Sequence, residues 1–230
     1  MPMLVAIHQP NFFPWMGYFD KIRLADVFVF LDAVDYPRSG SGGMGSWCNR
    51  VRVNIQDEAR WVTCPLKRAI LGTPINAITI DDDQPWRAKL LRTLDANYRK
   101  AAHYRQAIAL LEPLIVSSEN NLATYNIAAI QAIAEHLGIK TRFIRQSSLT
   151  GEGRATDLLI SLVRAVGGDA YLAGGGAGGY QQDEAFAERG VELVLQGFVP
   201  APYGDPSFFL PGLSVIDYLM HDGRPLGASP

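Results

Sequence analysis

With 230 residues, 48% of them hydrophobic and 19% charged, the chain is long enough to bury a core without disulfides or metal. A net charge of −2, with acids and bases interspersed, excludes the basic stripe of a dedicated nucleic-acid surface but leaves room for a small nucleotide ligand. No signal-peptide pattern opens the chain and no apolar run reaches membrane-spanning length, so a soluble, cytoplasmic protein with no membrane partner is expected.

Met3 to Ile7 reads as a strand and Val27 to Leu31 as a second. Between them, Trp15 to Ala25 places apolar residues at Met16, Phe19, Ile22 and Leu24, close to helical spacing. The second strand is almost purely apolar, as expected of a strand covered on both faces. The polar, glycine-rich RSGSGGMGS follows, too flexible to hold a shape unaided. VRVNI and WVTCPL then read as a hairpin or two edge strands, and Ala77 to Ile80 as another short strand.

The middle of the chain is helical. PWRAKLLRTLDANYRK and HYRQAIALLEPLIV carry helical apolar spacing, and Pro113 bends or ends the second. Asn120 or Asn121 caps LATYNIAAIQAIAEHLG, which stops at Gly138. TRFIR is a strand, TDLLISLVRAVG a helix, AYLAG a strand, DEAFAERG a short helix and VELVL a last strand. Strand and helix alternation at this spacing implies parallel pairing with right-handed crossovers. The expected architecture is a single α/β domain over residues 1–230, with a doubly wound, mostly parallel, Rossmann-like sheet and a helical insertion at about 85–137.

Ligands of open parallel sheets sit beyond the carboxyl ends of the strands, which singles out three places. HQPNFFPWMGY follows the first strand, DAVDY the second, and GGGAGGYQQ the AYLAG strand. Pro10 and Pro14 stiffen the first of these, so that His8, Gln9 and Asn11 can be aimed. His8 is either a proton acceptor there or a residue that satisfies backbone groups at a strand end. Gly17 lets a ligand approach a helix N-terminus, and Phe12, Phe13 and Trp15 read as core or pocket wall. The spacing from Gly174 through Gly176 to Gly179 matches GxGxxG, but so glycine-rich a run yields that match cheaply; a flexible loop anchored by Tyr180 is expected instead.

In SWCNRVRV, Trp47, Asn49 and Arg50 follow the glycine-rich excursion, and the planar fork of Arg50 suits a phosphate or carboxylate. Asp32, at a strand end, suits a general base, a metal ligand or a ribose contact. Cys48 and Cys64 have no CxxC spacing and read as buried, inert thiols, with Cys48 as nucleophile the lesser alternative. No HExxH, paired Cys/His cluster, GxSxG or multi-acid metal motif occurs, so no metal ligands and no cofactor are indicated.

Taken together, HQPNFFPWMGYFDKI, ADVFVFLDAV, WCNRVRV and WVTCPLK resemble the WbqC-like family, with its QPxxxPxxGYF opening, DxFVxxDDVQ-type strand and W-x-NR-x-R element. The resemblance continues through YLAGGGAGGY, the QGF element from Gln196 to Phe198 and LSVIDYLMHDG. It implies a role in bacterial surface polysaccharide (O-antigen) or related sugar biosynthesis; beside it, the expectation is an enzyme that transfers an acyl or aminoacyl group to an amino-sugar substrate. The partner it implies is a small molecule: a sugar, a nucleotide-sugar or an acyl donor. Carried onto this chain, the shared motifs point to Gln9, Pro10, Pro14, Gly17, Tyr18, Asp32, Trp47, Asn49, Arg50, Gly174, Tyr180 and Asp217. SGSGGMG stands as an insertion, and Ala33 with Asp35 departs from the family pattern. A remoter likeness is to nucleotidylyltransferase-type folds with a HxGH motif, whose second His position here reads Tyr18. The expected catalytic pair is His8 and Asp32. Two alternatives stand beside transfer. One is a non-catalytic glycan- or carrier-binding module with an exposed patch at Phe12, Phe13 and Trp15; the other is nucleotidyl transfer or adenylation.

Overall fold

Short apolar runs and amphipathic segments resolve, in this computed structural model, into strands and helices over the described residues 2–38, 45–174, 183–206 and 209–226. In chain order they begin β1 (Leu4–His8), α1 (Met16–Leu24), β2 (Val27–Phe30), β3 (Arg50–Ile55) and β4 (Glu58–Thr63). The helices α2 (Trp86–Tyr98), α3 (Tyr104–Ile115) and α4 (Leu122–His136) follow. The chain continues through β5 (Arg142–Arg145), α5 (Thr156–Ala165), β6 (Ala170–Ala173), α6 (Asp183–Glu188), β7 (Glu192–Leu195) and α7 (Val215–His221). Contacts gather these into two compact units, one of residues 1–9, 17–33 and 139–199, the other of 10–16, 34–138 and 200–230.

The first unit is built on a five-stranded sheet of order β5-β2-β1-β6-β7, every pair parallel. Strand period explains why VFVF contains no polar residue. Val27 and Val29 join the cluster of Val5, Ile7, Ile160, Val163 and Phe186, while Phe28 and Phe30 turn to Tyr18 and Phe143. All four β2 side chains are buried, each stabilising the fold by about 1.5–3 kcal/mol. The same alternation turns His8 to the α1 face, where its ring meets that of Tyr18. The expected α/β fold with a mostly parallel sheet is present.

In the second unit β3 and β4 form a separate antiparallel hairpin. The two-residue turn Gln56–Asp57 takes positive φ at both positions (54° and 61°), the primed turn that matches strand twist. Val51 and Val53 face inward, leaving Arg50, Arg52 and Asn54 on the other side. Three longer helices follow. Asn121, rather than Asn120, caps α4, accepting from the Thr124 amide at 3.0 Å. Past its end, Gly138 takes φ +75°, the left-handed turn a helix stop needs. Pro113 lies in the last turn of α3, which runs two residues beyond it. The strand expected at Ala77 to Ile80 does not form. Its backbone is divided between a 3-10 turn over Ile75–Ala77 and single bridges from Ile80 to Leu66 and from Thr79 to Asn121, so no ladder accumulates. No helix among the described residues is long and apolar enough to cross a membrane.

Candidate functional site

In the first unit the chain steps outward from β1 to β2 to β5, then from β6 to β7 on the other side, so the direction reverses between β1 and β6. Such a switch point opens a crevice beyond the strand ends. His8 ends β1 and Gln9 follows it, and the register pairing Ala6 with Leu172 leads on to Gly174 just past β6. His8 Nδ1 lies 3.1 Å from the Gln9 carbonyl oxygen. That acceptor requires a proton on Nδ1, which leaves the neutral ring's lone pair on Nε2. Burial, together with the nearby Lys21 charge, lowers the His8 pKa from 6.5 to about 4, so the imidazole is neutral throughout the physiological range. Tyr18 Oη donates to the same Gln9 carbonyl at 2.9 Å, packs edge-on to the imidazole and is buried.

Lys21 underlies this rim. It sits on the inner face of α1 beside Tyr18 and Ile22 and is 4% exposed. Its ammonium donates to the Ile7 carbonyl at 3.0 Å and lies 5.6 Å from the Tyr171 ring centre, with no carboxylate partner among the described residues. Desolvation lowers its pKa from 10.5 to about 8. Gln196 explains the QGF element: its amide donates to the Gly17 carbonyl at 2.8 Å and to Asp20 at 2.9 Å, pinning the start of α1. Asp32, expected beside His8 as a second acid–base group, is fully buried and spends both oxygens on Ser147, accepting from its amide at 2.9 Å and its hydroxyl at 2.7 Å. It acts as a brace between β2 and the turn after β5.

Asn11, Trp47, Asn49 and Arg50 belong to the second unit. Asn49 is engaged on both sides: its Oδ1 accepts from Tyr36 Oη at 2.8 Å and from the Ser46 amide at 2.9 Å, while its Nδ2 donates to the Cys64 carbonyl. Buried Asn126 donates to the carbonyls of Pro10 at 2.9 Å and Cys48 at 2.7 Å, tying the proline loop to the W-x-NR element. The Cys48 thiol lies 3.7 Å from Asn11 Oδ1 and is pushed up to about 12 by burial, which removes the thiolate a nucleophile needs. Phe12 and Phe13 are 1% and 0% exposed, so the aromatic patch expected of a binding module is not on the surface there. They pack with Tyr125 and Trp86 instead. Among the described residues the half-exposed aromatics are Trp47 and Trp61, whose ring centres are 5.0 Å apart. Asp217 braces α7: it accepts from Tyr98 and Tyr203 at 2.8 Å each, on the wall of a cavity of about 800 Å³. Gly176 and Tyr180 lie outside the described residues.

A family model described as the WbqC-like protein family matches residues 9–226, beginning one residue after His8. The chain belongs to the WbqC-like family. It is also similar to the uncharacterized protein Rv1507c of Mycobacterium tuberculosis (strain ATCC 25618 / H37Rv), 29% identical over 226 residues, 95% of this chain and 94% of that protein. No solved structure matches. Within this WbqC-like chain, sequence reasoning missed Lys21, Arg52, Trp61 and Asn126. Lys21 announces itself as a charge on an otherwise apolar helix face, and Arg52 by its two-residue spacing from Arg50. Asn126 carries no such signal, since its partners lie 116 and 78 residues away.

Proposed function

We propose that this protein is a transferase of bacterial surface polysaccharide or related sugar biosynthesis, moving an acyl or aminoacyl group from an activated donor to the amine of an amino sugar. One observation carries the reading: a neutral imidazole with its free lone pair on Nε2 stands at the carboxyl end of β1, beside the β1–β6 switch point. Of the two acid–base candidates, Asp32 is engaged by Ser147, which leaves the role to His8. With a thioester donor, the acceptor nitrogen forms a C–N bond to the acyl carbon. His8 Nε2 takes a proton from that nitrogen as the tetrahedral intermediate forms. Collapse breaks the C–S bond, and the proton passes to the leaving sulfur. Buried Lys21 makes the rim favourable for an anionic ligand, its charge unopposed by any carboxylate partner among the described residues.

The test is turnover by the purified full chain across a panel of acyl thioesters paired with nucleotide-linked amino sugars, read by mass spectrometry. His8→Gln, which keeps a donor for the Gln9 carbonyl, is expected to lower kcat by about 10²–10⁴-fold with little change in KM. Undiminished turnover in that variant ends the proposal.

A further inference from the structure

The hairpin of the second unit carries a cationic, aromatic face that the acyl-transfer reading does not use. Strand period places Arg50 and Arg52 side by side on the outer face of β3, and Trp61 stands directly across from Arg52 on β4. The Arg50 guanidinium lies 4.6 Å and that of Arg52 6.0 Å from the Trp61 ring centre, and the Trp47 ring packs against Trp61. Neither arginine has a carboxylate partner among the described residues. In the sequence, the stretch between Arg38 and Gly45 reads SGSGGM and holds no acidic residue. The Nε of each guanidinium is sealed from solvent and lacks a hydrogen-bond partner among the described residues. Two such donors left unpaired are costly, and the terminal guanidinium nitrogens, which are not sealed in this way, are the ones open to a ligand.

Glycines make room for both heads. A Cβ at Gly45 would come within 2.5 Å of Arg50 Nη1, and one at Gly212 within 3.2 Å of Arg52 Nη2. Gly45 precedes the W-x-NR element, at the end of the SGSGGMG insertion. Backbone without side chains therefore flanks the two forks.

We propose that Arg50 and Arg52 bind the phosphate oxygens of a phosphorylated small molecule whose ring lies against Trp47 and Trp61. The charge argument decides the class. Two unneutralised, planar, five-donor cations on one strand match a doubly charged group that can accept from both forks, and a phosphate or linked diphosphate does so. A monocarboxylate leaves one cation unopposed. Trp47 and Trp61, each 46% exposed, add a flat surface that inorganic phosphate alone would not use. This inference is independent of the role given to His8.

Binding of uridine diphosphate, glucose 1-phosphate, inorganic pyrophosphate and uridine to the full chain, followed by tryptophan fluorescence and calorimetry, tests it. Saturable binding of at least one phosphorylated probe and none of uridine is expected. Preference for uridine diphosphate points to a nucleotide, and preference for glucose 1-phosphate to a sugar phosphate; either supports the proposal. Arg52→Gln is expected to weaken binding at least about tenfold. Trp61→Phe, at a half-exposed position where the fold tolerates change, is expected to abolish most of the fluorescence response. It decides the matter should the arginine variant not fold. No binding of any phosphorylated probe up to about 1 mM overturns the proposal, as does unaltered binding in Arg52→Gln or an unaltered response in Trp61→Phe.

Discussion

Acidification isolates His8. The folded protein holds its pKa near 4, against 6.5 in the unfolded chain, so the unfolded state takes up the proton first as pH falls. Stability from this group is therefore complete above about 6.5 and is lost between about 6.5 and 4. The difference between those two values sets the loss at no more than about 3–4 kcal/mol. Carboxylates titrate in the same range, so the measurement is a difference: urea unfolding of the protein and of His8→Gln across that window. The difference should stay flat above pH 6.5 and bend against the protein below it. A proton NMR titration checks the same point directly, since the signal missing from His8→Gln should move near pH 4. In Lys21→Met that midpoint should rise, because a neighbouring positive charge is gone, yet stay below 6.5, because desolvation is the larger cause. A His8 signal titrating at about 6.5 in the unaltered protein refutes the assignment of a neutral imidazole at the rim.

Two further expectations concern the proline loop. Asn126→Ala strands two buried carbonyls, those of Pro10 and Cys48, and should cost about 2–4 kcal/mol in urea unfolding at neutral pH. Ser214→Ala should cost about 2 kcal/mol by the same measurement. Its hydroxyl donates to the Phe13 carbonyl and accepts from the Ile216 amide at the start of α7, holding Phe13 at φ 38°. A loss under about 0.5 kcal/mol in either variant, the scale of a neutral surface substitution, contradicts these roles.

Much of the first unit was legible because its signals are local. A run such as VFVF is readable as a strand covered on both faces because side chains alternate at a period of two, and α1 is readable from its apolar spacing. The candidate rim followed from the same logic, since the ends of parallel strands gather at one edge whatever the loops contain. The stretch Ala77 to Ile80 misled because Ile78 and Ile80 are buried as in a strand while the backbone makes only single bridges, and burial without a ladder leaves no distinct periodic mark.

The sequence by itself determined the parallel sheet, the helical middle and which polar residues stand at strand ends, because each rests on periodicity and neighbouring residues. Only the tertiary structure decided what those residues do. Asp32 is satisfied by Ser147, 115 positions away, while His8, partly buried, is left neutral beside the buried Lys21. Protonation and hydrogen-bond commitment depend on which groups meet in three dimensions, and spacing along the chain does not encode those meetings.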